Sequence, residues 1–292
     1  MNASDDSRHG SGRVADYFVV VGANSQQLVP LRIDDPLNAN DPVKQSRPLQ
    51  MVFETEIVSR YPLIDPDNTP SFPDGLTLFC LPDGLRVSRK SQPPSFFSFV
   101  QTSDKGSRLV GSCLTFYEQL NESQRSGFLS LCQASPETML EHPNIDSMRL
   151  YVPRCLCLIS QWPFVQSFRK FLCHIYRLSL TPSSIPIERF ICNFIDDVPV
   201  PPSGKVEVSY LVPGGGTGED SAFVFKRPPI NQPNAWTSLP MRALFECLSV
   251  ENILAVFRAV LSERTVVFVS SQNHLLAVAA ETIISLMYPL QW

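Results

Sequence analysis

The amino-acid sequence predicts a mixed α/β protein, with an antiparallel sheet in its N-terminal part and alternating helices and strands after it. Residues 95–102 and 108–116 alternate apolar and polar side chains and flank Asp104-Lys105-Gly106, a pattern typical of a β-hairpin. Apolar residues recur at helical spacing in 250–261 and 273–287 and flank the apolar run 265–269. This order predicts a strand buried on both sides, in a sheet covered by helices on both faces.

The composition is that of a globular protein and argues against one class of partner. Of the 292 residues, 43% are hydrophobic and 18% are charged, which leaves ample apolar surface for a core. The net charge is −4, and the sequence has no basic stripe. Phosphate backbones are bound by clustered lysine and arginine, so no nucleic-acid partner is predicted.

The termini and the cysteines predict a cytoplasmic protein. The first residues are polar and acidic, and no run of about 18 apolar residues could span a bilayer. The eight cysteines are therefore expected to be free thiols, most of them small buried hydrophobes. Cys155 and Cys157 lack the Cys-x-x-Cys spacing usual in zinc sites, so no metal is predicted.

Changes in pattern along the chain predict its organisation. The apolar pattern weakens after the hairpin and then returns in a different style, which indicates a domain boundary. The predicted regions are a disordered N-terminus (1–13), a first lobe (14–120), a linker region (121–148) and a central α/β lobe (149–292).

Short-range patterns predict the elements of each lobe. Four prolines exclude a helix in 61–75, because proline removes a backbone donor and clashes with the preceding turn. The first lobe is predicted to contain strands at 14–22 and 76–81, an extended segment at 61–75 and the hairpin. The second is predicted to contain strands at 154–160, 205–212 and 222–225, and helices at 164–176 and from Pro186 to Asp196-Asp197, the latter capped by Ser184.

No constellation for covalent catalysis stands out. The glycine-rich stretch 214–218 lacks the Lys-Ser/Thr of a phosphate-binding loop, and the adjacent Glu219-Asp220 would repel a phosphate. It is interpreted as a flexible loop between two strands. There is no Gly-x-Ser-x-Gly elbow, and the chain has only four histidines. We therefore predict no catalytic residues and no cofactor.

The candidate partner-binding residues flank the apolar run 265–269. Polar residues beyond the end of a buried strand are often in contact with a ligand or partner. A purely local role also stays open for these residues. Glu263 and Arg264 could end the preceding helix, and the serines and Asn273 could cap the next one. The candidates are Glu263, Arg264, Ser270, Ser271, Gln272 and Asn273.

Several of these segments resemble the DENN domain family. The resemblance rests on LSERTVVFVSS at 261–271, MYPLQW at 287–292, YVPRCLCLIS at 151–160 and DDVPVPP at 196–202. Residues 72–75 (FPDG) and 79–82 (FCLP) are similar to the upstream segment of that family. The motifs are specific jointly rather than singly, and they extend from about residue 14 to the last residue.

The resemblance implies a longin-like antiparallel sheet lobe, a central α/β lobe and a cleft between them that receives a Rab-type small GTPase. It implies guanine nucleotide exchange without covalent chemistry, in membrane trafficking, with only indirect attachment to vesicle, endosomal or Golgi membranes. The alternative is a non-catalytic trafficking adaptor or GTPase effector. The resemblance also implies a fragment that is incomplete at its C-terminus, so the apolar face around Ile283, Ile284 and Met287 is expected to be exposed.

Overall fold

The computed structural model describes residues 12–31, 47–66, 69–102, 108–181, 185–204, 206–212, 221–229 and 240–290. It confirms the mixed α/β class. The main sheet is antiparallel, with five strands in the order β2-β1-β5-β4-β3. These are β1 (Tyr17–Gly22), β2 (Glu56–Tyr61), β3 (Ser95–Thr102), β4 (Arg108–Gln119) and β5 (Tyr151–Ser160).

Helices and a small second sheet surround this main sheet. The second sheet pairs β6 (Glu207–Val212) with β7 (Ser221–Lys226). The helices are α1 (Leu76–Cys80), α2 (Glu122–Gln133), α3 (Pro136–Glu141), α4 (Val165–Ser179), α5 (Ile187–Asp197), α6 (Arg242–Cys247), α7 (Val250–Leu261) and α8 (Asn273–Leu286). No helix within the described ranges is both long and apolar enough to cross a membrane.

The central position of β5 unites the two predicted lobes. The boundary predicted at 121–148 assigns β5 to the second lobe, yet β5 pairs with both β1 and β4. Its near-continuous burial follows from this position, because a central strand is covered on both sides. The main sheet therefore contains strands from both predicted lobes. Local patterns do not reveal the pairing of β5 with strands of the first lobe, because that pairing joins distant segments of the chain.

Each face of the main sheet carries its own core. On one face, Tyr17, Val19 and Phe128 belong to a core completed by α1 and α2. On the other face, α4, α5 and the small sheet enclose an aromatic core in which the rings of Phe171 and Phe194 stack at 3.8 Å. This core explains the helical spacing of phenylalanines predicted for 164–176.

The predicted linker region is largely helical. Asn121 accepts a hydrogen bond from the Gln124 N–H at 2.8 Å, and the Gln124 side chain accepts one from the Asn121 N–H, so α2 begins with a capping box. Phe128 and Cys132 of α2 are completely buried in the first core. The weak apolar pattern of this region reflects helices that each bury a narrow stripe.

The C-terminal helices α6, α7 and α8 enclose a third, smaller core. Ile253 and Val260 of α7 pack with Ile283 and Met287. Ile283 is 1% exposed and Met287 is 7% exposed. The expectation that this face is exposed was therefore wrong for Ile283 and Met287, because α6, which local pattern did not predict, packs against α8. Ile284 is half-buried.

The buried strand predicted at 265–269 was wrong. These residues have no regular secondary structure, and Val267 and Val269 are 77% and 90% exposed. Within the described part of the chain no strand pairs with them. An apolar run indicates that its residues favour burial. A buried strand also needs a neighbouring strand to pair with, and the sequence pattern does not show whether one is present.

The strand predicted at 76–81 was also wrong, because residues 76–80 form helix α1. Gly75 adopts a φ of 67°, a left-handed conformation that glycine tolerates, immediately before the helix. Leu76 and Cys80 are then buried together, four residues apart on one helical face. Six residues are too few for periodicity to distinguish a helix from a strand.

Other predictions are confirmed or fall partly outside the structure. The hairpin pairing of β3 with β4, the strands β6 and β7, and helices α4, α5, α7 and α8 are confirmed. Arg13, assigned to the disordered N-terminus, forms an ion pair with Asp196 at 3.2 Å. The predicted turn 104–106, the cap Ser184, the loop 214–218 and residues 1–11 lie outside the described residues.

Candidate functional site

A cleft separates the edge of the main sheet from the C-terminal helices. Helix α8 packs beside edge strand β3, and α1 forms a third wall. A groove of about 570 Å³ lies at this junction. Its lining is mainly apolar and includes Leu78, Phe79, Phe97, Phe99, Val100, Leu276, Ala277, Ala280 and Ile284.

Side-chain size explains why the groove is open. Ala277 and Ala280 present only methyl groups from α8, so the helix packs beside β3 without filling the space between them. Opposite them, the rings of Phe79 and Phe99 stack at 5.1 Å. Phe99 lies over Gly111 of β4, its partner in the β3–β4 register, where a side chain would collide with the ring. The groove thus combines a rigid aromatic wall with a wall of small residues.

One ion pair joins the two sides of the groove. The guanidinium of Arg108, at the start of β4, donates to the Glu281 carboxylate of α8 at 2.5 Å. Burial raises the pKa of Glu281 above its usual value, and the attraction of Arg108 opposes that rise. The carboxylate is the better buried partner, with 19% of its side chain exposed against 46% for Arg108.

A second, more polar cavity of about 320 Å³ continues the cleft towards the N-terminus of α8. Asp83 and Tyr117 line it from the sheet side, and His274 lines it from α8. The Asn273 amide donates to the Asp83 carboxylate at 3.2 Å, which links the two sides. Burial, and secondarily the charge of Asp83, raise the pKa of Tyr117 above its usual value.

The structure places three of the six predicted site residues in this cleft. Ser271, Gln272 and Asn273 line the second cavity, and Asn273 also lines the apolar groove. The Ser270 hydroxyl accepts a hydrogen bond from the Gln272 N–H at 3.0 Å. That contact stabilises a local turn, and Gln272, the residue at the N-cap position, makes no side-chain capping bond. Helix capping therefore does not account for these residues.

Glu263 and Arg264 follow the local interpretation instead. The Glu263 N–H bonds to the Val260 carbonyl at 2.9 Å, and the Arg264 N–H bonds to the Ala259 carbonyl at 3.0 Å. Together these bonds close α7 with a Schellman motif. Both side chains are exposed and neither lines a cavity of the cleft.

Sequence reasoning missed the sheet side of the cleft. Arg108, Asp83 and Phe79 lie more than 150 positions before α8, and none belongs to a motif with recognisable chemistry. A usable signal was the buried carboxylate: Glu281 interrupts an otherwise apolar helix face and therefore requires a cationic partner.

Two family models match this chain. A model of the DENN (AEX-3) domain matches residues 151–292, and a model of the uDENN domain matches residues 55–116. The chain belongs to the DENN domain family. The uDENN match contains α1, β3 and most of β4, and the DENN match contains β5 and all the C-terminal helices. The cleft therefore lies between the parts of the chain covered by the two matches.

A curated relative is similar to almost the whole of this chain. The Arabidopsis thaliana protein "DENN domain and WD repeat-containing protein SCD1" is 27% identical over 291 residues, which cover 96% of this chain and 22% of that protein. The chain thus spans about a fifth of the length of the relative. DENN domains generally bind Rab GTPases and act as their guanine nucleotide exchange factors.

Proposed function

We propose that this DENN domain chain is a guanine nucleotide exchange factor for a Rab-type small GTPase, acting in the cytoplasm on trafficking membranes. The observation that carries the proposal is the cleft between the uDENN part and α8, with its apolar groove and its polar end at Ser271, Gln272 and Asn273. A cleft of this kind suits a protein partner, because apolar pockets anchor its side chains while the polar rim orients it.

Exchange of this kind requires no acid, base or nucleophile from the chain. An exchange protein that binds the nucleotide-free GTPase more tightly than the loaded form weakens nucleotide binding in the same ratio, because the two binding equilibria are linked. The requirement is therefore a rigid surface with differential affinity. Strand β3 provides such a surface, since it is anchored along its whole length to β4.

The test is the rate at which fluorescent GDP leaves each member of a panel of Rab proteins. We expect the chain to accelerate release from at least one of them. Filling the groove with Ala280→Leu should slow that release by at least about tenfold, since a clash of roughly 1.4 kcal/mol suffices. Ala255→Leu is the matched control, because Ala255 is exposed on α7 and outside the groove.

The outcomes separate exchange from its rival. No acceleration with any Rab protein, for this chain and for a version extended past Trp292, would refute the exchange proposal. An adaptor or effector would bind loaded GTPase as well as empty GTPase, so pull-downs in both nucleotide states distinguish the two functions. If Ala280→Leu and Ala255→Leu behave alike, the groove is not the contact surface.

A further inference from the structure

Four buried cysteines meet in the core beneath the cleft. The sulfur atoms of Cys80, Cys113 and Cys155 all lie within 4.8 Å of one another. The sulfurs of Cys80 and Cys113 are 3.9 Å apart, and no disulfide joins them. The three residues come from α1, β4 and β5, so the fold and not the local sequence brings them together.

Cys157 is the fourth member of this thiol cluster. It lies directly opposite Cys113 in the β4–β5 register, and it shares a face of β5 with Cys155 because strand side chains alternate. Its sulfur is not within 4.8 Å of all three of the others, so Cys157 lies at the edge of the cluster. All four side chains are 0% exposed.

We propose that Cys80, Cys113, Cys155 and Cys157 bind one Zn²⁺ ion. Zinc prefers four thiolates in a tetrahedron with bonds of about 2.3 Å, which requires sulfurs about 3.8 Å apart. The Cys80–Cys113 distance of 3.9 Å already meets that requirement, and the Cys155 sulfur lies within 4.8 Å of both. The Cys157 side chain has to turn towards these three sulfurs for the tetrahedron to close. Binding replaces the four thiol protons, which are released to solvent.

The location gives the ion a structural role. Helix α1 is a single turn, too short to be stable by itself. A zinc ion bound to Cys80 would fasten α1 to the two central strands of the sheet. Helix α1 also carries Leu78 and Phe79, which line the apolar groove. The site therefore holds one wall of the cleft in position.

The cluster has an approach from the cleft. Cys80 borders the polar cavity beside Leu81 and Asp83, although its own side chain is covered. The other three cysteines lie deeper, within the sheet. Zinc is thus expected to bind during folding and to exchange slowly afterwards, because the site is sealed once α1 has docked.

The first test is metal content. The chain is purified from cells grown with added zinc, in a Cys247→Ser background that removes the exposed thiol, and its metal is quantified by mass spectrometry. We expect about one zinc ion per chain, and less than about 0.2 in Cys113→Ser and Cys155→Ser. Cys132→Ser is the matched control and should keep its zinc, since Cys132 is equally buried in the same core but outside the cluster.

A second measurement covers the case in which the serine variants fail to fold. The chain with all four cluster cysteines intact is denatured, stripped of metal and refolded with Co²⁺. The thiolate-to-cobalt charge-transfer bands and the visible absorption bands of Co²⁺ report tetrahedral coordination by sulfur. Those bands, removed by one equivalent of Zn²⁺, support the site. The proposal would be overturned by a folded chain whose four cluster thiols are reduced but which holds less than about 0.2 zinc ions per chain and gives no cobalt bands.

Discussion

Glu263 occupies an unusual backbone conformation for its residue type. Its φ is 54°, and it is the only residue other than glycine with a positive φ in the described part of the chain. It stands at the position after the C-cap of α7, where glycine is usual because a Cβ atom there meets the neighbouring carbonyl. The Schellman hydrogen bonds to Val260 and Ala259 hold it in place.

Relief of this strain is testable. Glu263→Gly is expected to raise the free energy of unfolding by about 0.5–1 kcal/mol, because glycine adopts the conformation without steric cost. The measurement is the urea midpoint of the transition that reports on the C-terminal helices. Ser262→Gly is the control: Ser262 has a φ of −94°, so glycine brings no relief there and should destabilise. Equal effects of the two changes would contradict this account.

At the scale of single elements, two glycines illustrate opposite constraints. A Cβ atom at Gly111 would lie 2.1 Å from the nearest atom of the Phe99 ring, whereas one at Gly127 would meet nothing within 4 Å. Gly111 belongs to β4 beneath the groove wall, and Gly127 lies on the exposed side of α2. The same substitution should therefore have opposite consequences.

We expect Gly111→Ala to lower the free energy of unfolding by about 1–3 kcal/mol, because the Phe99 ring must leave its position over β4 and enter the groove. Gly127→Ala should stabilise by about 0.5–1 kcal/mol through helix propensity. Thermal unfolding of both variants gives the comparison. The double variant Gly111→Ala/Phe99→Leu should recover part of the loss, and failure of this rescue would show that the ring is not the source of the strain.

The segment 265–269 gives another test at this scale. No backbone hydrogen bond is present for its residues within the described ranges, whereas residues 155–159 of β5 are paired on both sides. Hydrogen exchange followed by mass spectrometry should therefore find its amides exchanging within seconds, while those of β5 remain protected for hours or longer. Protection of 265–269 equal to that of β5 would restore the interpretation as a buried strand.

At the scale of the whole molecule, the contact between the main sheet and the C-terminal helices depends on charge. Arg108 and Glu281 form its ion pair, and the Asn273–Asp83 hydrogen bond supports it farther along the cleft. Burial raises the pKa of Glu281 above its value in the unfolded chain. The folded state therefore holds the Glu281 proton more tightly than the unfolded state does.

The sign of the pH dependence follows from this shift. The contribution of Glu281 to stability is fully present below the unfolded pKa and is lost as pH rises through the raised folded pKa. The unaltered chain should thus gain stability relative to Glu281→Gln as pH falls from 7 towards 4.5, measured by thermal unfolding. Arg108→Met should increase the gain in stability at low pH. At pH 7 it should lower the free energy of unfolding by about 1 kcal/mol, because it leaves a buried carboxylate without its partner. A pH-independent difference between the unaltered chain and Glu281→Gln would contradict the assigned shift.

Much of the fold could be predicted from local pattern. Phenylalanines at helical spacing identify α4, alternation identifies the pairing of β3 with β4, and Ser249 marks the start of α7 by capping it. Each signal lies within about 15 residues, the range over which periodicity and capping act. The family was also accessible, because its motifs are short runs of adjacent residues.

The geometry of the candidate site was accessible only in part. Ser271, Gln272 and Asn273 could be singled out because they stand in or directly after a recognisable motif at the end of an apolar run, and the structure places them at a cavity. Arg108, Asp83 and Phe79 could not, since their role depends on the docking of α8 beside β3. The thiol cluster has the same origin: Cys80 and Cys155 are 75 positions apart, and only the sheet places their sulfurs within 4.8 Å.

The sequence by itself thus determines elements such as α4, α7 and the pairing of β3 with β4, because periodicity, alternation and capping act between near neighbours. It also determines the family, whose motifs are short runs of adjacent residues. It did not determine helices α1 and α6. The order β2-β1-β5-β4-β3, the cleft, the meeting of the cysteines and the exposure of Val267 and Val269 depend on contacts between distant segments. A stretch such as TVVFV expresses the same preference for burial wherever it occurs. Whether a partner strand lies beside it is decided by the rest of the fold.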